Sequence, residues 1–233
     1  MARKKGTQAQ DAYNYIRDRI LTFEFLPGTE LSDSRLEQEL DMSRSPIRES
    51  IIELIADGLL VRTGNKVLIA PLNLQDIIEI CEVRKALEVA AVTLVLKRGG
   101  PCEADMQRLQ ELLNGMQKAE TMENYALDDE FHSILLQASG NGRMVEIANR
   151  MRLQISRARY LNVFIPSRLR DANVEHQQIF DALKTGDAIA CERAMALHMD
   201  NSQKNFEAVL NNPQFSPHML RGIALMVSDN KAQ

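Results

Sequence analysis

The sequence predicts a mainly α-helical protein in two parts: an N-terminal winged helix-turn-helix, then a C-terminal antiparallel all-α helical bundle. Three observations predict it. Apolar residues recur with a 3.6-residue period over most of the 233 residues. That period breaks at "LLVRTGNKVLIAPL", where two short β-rich runs flank Thr63-Gly64-Asn65, a hairpin signature. After this hairpin every segment reads as helix, and the short connections with a 3.6-residue period imply an antiparallel bundle. The expected boundaries are 1–71 for the winged head, 72–212 for the helical domain and 213–233 for a C-terminal tail with a weak apolar pattern.

In the head, a helix from about Gln8 to Phe23 places Ala12, Ile16, Ile20 and Phe23 on one stripe. "FLPGTEL" breaks it with a Pro-Gly turn. A second helix follows, with Ser32 as cap and Leu36 and Leu40 as its buried pair, and Asp41-Met42 turns the chain into a third. That third helix opens on "SRSPIRE". Proline is tolerated within the first turn because the first amides have no intrahelical acceptor. Either Ser43 or Ser45 is expected to cap those amides. Ile47, Ile51, Leu54 and Ile55 form its buried face, and Gly58 ends it.

From Leu74 onward every segment reads as helix. Ile77, Cys81, Leu87, Ala91 and Leu94 line one, ended by Gly99-Gly100-Pro101. Met106, Leu109, Leu113 and Met116 line the next, and another runs from about Met122 to Ala138, ended by "SGNG". Met144, Ile147, Met151 and Ile155 mark a fourth, and "FIPSRLRDAN" reads as a loop. Two last helices, about Val174–Lys184 and Asp187–Val209, are joined by Thr185-Gly186.

Composition excludes several classes. No apolar run approaches the roughly 20 residues of a membrane span, and no signal core follows the basic N-terminus, so a cytoplasmic protein is expected. Three scattered cysteines, Cys81, Cys102 and Cys191, argue against a disulfide framework or a thiolate metal cage. The net charge is −4, and residues 1–70 hold ten Lys/Arg against eleven Asp/Glu. Nucleic-acid binding therefore requires positive charge gathered on one face rather than in bulk.

The third helix gathers it. Arg44 and Arg48 are four residues apart, on one face beside a helix N-terminus, a surface suited to an anion. In a helix-turn-helix this is the end that meets base edges, where arginine bonds guanine O6 and N7 and serines reach phosphates or bases. Ser43, Arg44, Ser45 and Arg48 are thus the expected readers, with Arg35 on the preceding helix placed for phosphate. Gly64 at the wing tip and Lys66 behind it are expected near the minor groove and backbone. The stretch "PGTELSDSRLEQELDMSRSPIRESIIELIADGLLVR" resembles the DNA-binding domain of the GntR family of bacterial regulators. It keeps that family's Pro-Gly, its Ser-Arg-x-Pro-x-Arg-Glu and its Gly-Leu before the wing. It departs at Asp41, where glycine is usual, though aspartate tolerates the left-handed conformation that the turn needs. It departs again in a short wing with one glycine.

The helical domain carries a histidine–carboxylate pattern. Asp128 and His132 lie four apart on one helix face. His176 and His198 flank the Thr185-Gly186 turn by ten and twelve residues, so both lie roughly 15–18 Å from it and can face each other. One carboxylate and three imidazoles suit a divalent ion, zinc first, with nickel or manganese as alternatives. Phe131, Leu135, Ile179 and Phe180 are expected to keep that site partly dry. Residues 74–210 resemble the FCD-type effector domain of the FadR subfamily, in its six-helix, VanR-like form. Its metal pattern falls on Asp128, His132, His176 after Glu175, and His198, while His218 in the tail matches nothing. The resemblance also implies effector-binding roles for Arg84, whose alternative is an ion pair with Glu88, and for Asn141, whose alternative is a turn.

Together these features predict no enzyme but a homodimeric regulator, acting as a repressor on a palindromic double-stranded operator. A small carboxylic, hydroxy or sugar acid bound at the metal is expected to release it. A metalloregulator sensing the ion itself and a metal-dependent enzyme are the alternatives.

Overall fold

A computed structural model describes residues 5–119, 121–165 and 167–212; the expected tail, with His218, lies outside the described residues. The chain divides into two compact units between Asn73 and Leu74.

The first unit contains α1 (Lys5–Leu21), α2 (Asp33–Leu40), α3 (Arg44–Ala56) and an antiparallel pair, β1 (Leu60–Thr63) and β2 (Lys66–Ile69). Ala12, Ile16 and Ile20 on α1 pack with Leu36, Ile47, Ile51 and Leu54 as a core from which solvent is nearly absent. Phe23 joins that core, but not as a helical residue. It lies past the end of α1 in the left-handed region, φ 58°, and its buried ring holds the turn. The Tyr13 hydroxyl donates to Asp57 Oδ2 at 2.5 Å, tying α1 to the end of α3. Burial, then that hydrogen bond, raises the Tyr13 phenol.

Ser32 caps α2, accepting from the Arg35 amide, and Asp41 ends it at φ 49°, the left-handed position where the sequence pattern normally has glycine. Leu40 is only half-buried, so Leu36 alone anchors this two-turn helix. Neither serine caps α3 as expected. Ser43 occupies the cap position without a side-chain bond, and the Ser45 hydroxyl donates to Glu49 instead. Gly58, at φ 72°, ends α3 with the Leu59 amide reaching back to Leu54. Thr63 pairs with Lys66, so the wing turns on the two residues Gly64 and Asn65. Residues 28–31 add a third edge to it through Gly28, Leu31 and Ile69 amide bonds, a pairing that the sequence did not signal.

The second unit holds α4 (Leu74–Lys97), α5 (Glu103–Met116), α6 (Thr121–Ala138), α7 (Gly142–Arg159), a 3₁₀ turn (Tyr160–Phe164), α8 (Arg168–Thr185) and α9 (Ala188–Leu210). α4 is apolar on two sides because it packs in two directions. Val92 and Val95 enter the main core with Leu109, Leu113, Phe131, Ile179 and Met195; Ala91, with Leu87 and Leu94, faces Leu136 and Met144. Two expectations change here. Most of "FIPSRLRDAN" is helical, because α8 begins at Arg168, whose buried guanidinium bonds Glu175 one helical face along. Ile147, expected on the buried stripe of α7, is 45 % exposed, while Leu153 and Ile155 are buried.

Candidate metal centre and DNA-reading face

Three helices bring the predicted ligands together. Asp128 and His132 project from α6, His176 from α8 and His198 from α9, each offering one ligand atom, and these atoms lie within 4.8 Å of one another. His176 Nε2 is 3.3 Å from both Asp128 Oδ1 and His132 Nε2, and His132 Nε2 is 4.0 Å from Asp128 Oδ1. Atoms bound at about 2.1 Å around one ion are separated by about 3–3.5 Å, so this spacing suits a divalent cation with modest contraction. Phe131 packs against the His176 ring at 4.8 Å, and Leu135, Ile179 and Phe180 lie buried beside it, so the cluster has the expected dry wall.

The donor chemistry fits an ion as well. His198 Nδ1 donates to Glu175 Oε2 at 2.7 Å, which leaves its Nε2 with a lone pair. His132 Nδ1 lies 3.3 Å from Glu88 Oε2, which favours the same tautomer. His176 Nδ1 is buried without a hydrogen-bond partner among the described residues. A proton on His176 can bridge only part of this set, and it leaves buried lone pairs facing one another. A cation engages them together.

Electrostatics keep these groups in ligand form. Burial, then the neighbouring imidazoles, hold His198 well below the usual histidine value. Burial also lowers His176, partly offset by Asp128. Burial opposes the charge on Asp128, but Arg159 and the imidazoles outweigh it and hold the carboxyl well below its usual range. Arg159 Nη1 lies 2.7 Å from Asp128 Oδ2 and also pairs with Asp129, leaving Asp128 Oδ1 toward the imidazoles. Glu88 behaves likewise: burial raises it, and His132 and Arg84 more than compensate.

Glu175 organises the α8–α9 side. Its Oε2 accepts from Arg168 at 2.9 Å and from His198, and its Oε1 accepts from Asn201 at 2.7 Å. Every neighbour is a donor, so an amide NH₂ has no acceptable orientation there. Glu175→Gln is expected to weaken metal binding about 10–100-fold, read by competition with a chelator. Unchanged affinity would mean that Glu175 does not orient His198.

Two small cavities flank the cluster. One, about 20 Å³, is bordered by Asp128, His198, Arg84, Arg159, Arg168 and Tyr125. The other, about 40 Å³, is bordered by Glu88, His132, Arg84, Arg159, Ser133 and Arg152. Arg84 pairs with Glu88 at 3.3 Å, the alternative reading, and it also borders both cavities. Asn141 does not reach either one. Its Oδ1 caps α7, accepting from the Arg143 and Met144 amides, which is the turn role. The sequence missed Arg159 and Arg168. Both are buried cations on α7 and α8, and nothing in their local spacing distinguishes them from surface arginines.

The cations expected to contact DNA are exposed and paired. Arg44 and Arg48 are 66 % and 67 % exposed; Arg44 Nε bonds Glu37 at 2.6 Å, and Arg48 Nε lies 3.9 Å from Asp33. Arg35 bonds Glu39 at 2.6 Å, and Lys66 bonds Glu30 at 2.7 Å. Gly64, φ 59°, has open space where a side chain would project, as the tip of a wing requires. A cleft between α3 and the wing is bordered by Arg44, Arg48, Ile52, Arg62 and Lys66.

Two family patterns match the chain. The pattern of bacterial regulatory proteins of the gntR family matches residues 8–66, and that of the FCD domain matches residues 79–201. An uncharacterized HTH-type transcriptional regulator in an unstable DNA locus of Streptomyces ambofaciens is 28 % identical over 202 residues, covering 85 % of each chain. The HTH-type transcriptional repressor RspR of Escherichia coli (strain K12) is 24 % identical over 205 residues, covering 86 % of this chain and 89 % of RspR. In fold, E. coli McbR/YncC superposes with a TM-score of 0.71 at 22 % identity, covering 91 % of this chain and 100 % of the other.

Proposed function

Because the chain belongs to the GntR family of bacterial DNA-binding transcriptional regulators, with an FCD domain behind its winged head, we propose that it is a metal-containing repressor released from its operator by a small organic acid. Within the family we assign it to the FadR subfamily, in its VanR-like form. The observation that carries the metal and the effector is the convergence of Asp128, His132, His176 and His198 beside a cavity edged by three arginines.

A divalent ion, zinc by preference, supplies there a Lewis-acid position that accepts a carboxylate or hydroxyl oxygen. The chain's own residues supply the rest. Arg84, Arg159 and Arg168 provide positive charge around the small cavity, and a carboxylate suits the planar donor fork of arginine. The Tyr125 hydroxyl and Asn162 Oδ1 border the same cavity, are buried, and have no hydrogen-bond partner among the described residues. At about 20 Å³ the cavity has room for about one water, so in our reading a hydroxy acid, sugar acid or small dicarboxylate reaches these atoms by pushing the bordering side chains apart. Burial raises the Tyr125 phenol, so it remains a donor at neutral pH.

In our reading a homodimer sets two copies of α3 about one helical turn apart on a palindromic operator, in the bacterial cytoplasm. The acid favours a dimer geometry in which the heads no longer match the half-sites, a coupling typically worth about 1–3 kcal/mol. The repressor sense follows the name of the relative RspR.

Operator binding by fluorescence anisotropy tests this, with metal and a panel of small acids varied independently. The expected result is that an acid releases the operator at constant metal and raises the melting temperature only of metal-loaded protein. Release by metal alone would replace this reading with an ion sensor. Turnover of the acid would replace it with a metal-dependent enzyme.

A further inference from the structure

Ile52 is the most exposed large apolar residue among the described residues, at 65 %. The other isoleucines of α3 behave otherwise: Ile47 and Ile51 are buried at 0 % and 3 %, and Ile55 is at least partly covered. Its position is specific. Arg44, Arg48 and Ile52 follow at intervals of four on α3, so they form one line along a single face. All three border the cleft that α3 forms with the wing, together with Arg62 and Lys66. An isoleucine on a solvent face, in a cleft lined by cations and by the acids Glu30 and Asp33, gains nothing in the free protein. Leaving it exposed forgoes roughly the 1.5–3 kcal/mol that burial of such a side chain contributes.

Duplex DNA is the partner proposed for this face, and what its major groove offers an apolar side chain is the thymine 5-methyl group. Ile52 lies two helical turns beyond Arg44, about 12 Å along the axis, the length of three to four base-pair steps. We propose that Ile52 is a specificity-determining residue of the operator contact: it packs on a thymine 5-methyl group, toward the far end of the half-site that Arg44 and Arg48 begin. The proposal rests on the assignment of α3 as the reading helix. It adds an apolar letter to a code otherwise carried by hydrogen bonds.

The test removes the methyl group and nothing else. A duplex operator is selected from random DNA with the full-length protein, and each thymine of a half-site is then replaced in turn by deoxyuridine. One replacement is expected to weaken wild-type binding about fourfold per half-site, the value of one buried methyl group. Ile52→Ala is expected to lose affinity for the thymine operator to a similar extent and to become indifferent to that replacement. Ile52→Val, which keeps branched methyls, is expected to retain the discrimination. Replacing the same thymine–adenine pair by 5-methylcytosine–guanine separates the methyl group from the rest of the base: partial retention relative to unmethylated cytosine supports the contact. If no deoxyuridine replacement weakens wild-type binding, or if Ile52→Ala discriminates as the wild type does, the proposal is overturned. A failure of the reading-helix assignment itself looks different, because Arg44→Ala and Arg48→Ala would then leave selection of any operator unimpaired.

Discussion

Substituting His176 by alanine is expected to leave the helical domain without the proposed metal while the winged head stays folded. His176 is wholly buried, and its Nε2 is the atom nearest to both Asp128 Oδ1 and His132 Nε2. Removing it cuts the ligand set to three and detaches the α6 pair from the α9 ligand. It also opens space beside Phe131, so the apo variant loses packing as well, on the order of 2–4 kcal/mol. A ligand that binds only the folded state adds about 4 kcal/mol when present at a thousand times its dissociation constant, and this contribution disappears too. The helical unit should therefore melt earlier, and elemental analysis after dialysis should find little or no bound metal. The winged unit has its own core around Ile16, Ile20, Leu36 and Leu54, and its unfolding should be unchanged. Metal content equal to that of the wild type would refute the ligand set.

How much of this was legible beforehand depended on whether the signal was local. The helix α3 was legible because its proline, arginines and terminal glycine fall within sixteen residues and each has a local physical reason. Asp41 was legible for the same reason: aspartate is one of the few residues that accept φ near 50°, and the turn required it. The histidines were legible because two spacings, four residues on α6 and a matched depth across the α8–α9 turn, constrain three helices at once. The start of α8 was not. "SRLRD" has no apolar stripe because its buried residue is Arg168, satisfied by Glu175 seven residues on and by Ser202 on another helix. A periodicity argument counts an arginine as a solvent marker and misplaces it. Arg159 escaped for that reason as well, since its burial depends on Asp128 and Asp129 across α6. Ile147 erred in the opposite sense, an apolar residue on the right period that the bundle leaves half uncovered.

Arg44→Ala and Arg48→Ala are each expected to cost roughly 1–3 kcal/mol in operator affinity and to relax preference at one base position, the value of a bidentate arginine–guanine contact. In the free protein both arginines already have carboxylate neighbours, Glu37 at 2.6 Å and Asp33 at 3.9 Å, and both are about two-thirds exposed. Exposed pairs of this kind are worth only about 0–1 kcal/mol, so exchanging a carboxylate for a guanine edge forfeits little. The pairs have a second consequence. The expected DNA-contacting cations Arg35, Arg44, Arg48 and Lys66 each lie beside an acid of the same head, which is how a segment with ten basic and eleven acidic residues can present a reading face. Non-specific attraction to phosphate is thereby muted, and discrimination falls on the base contacts. Loss of Arg44 or Arg48 should accordingly damage binding to the selected operator far more than binding to random duplex of the same length. Parallel titrations of the two DNAs across a range of salt concentrations read this directly. Equal losses on both would reassign the arginines to the phosphate backbone, and no loss on either would remove α3 from the groove.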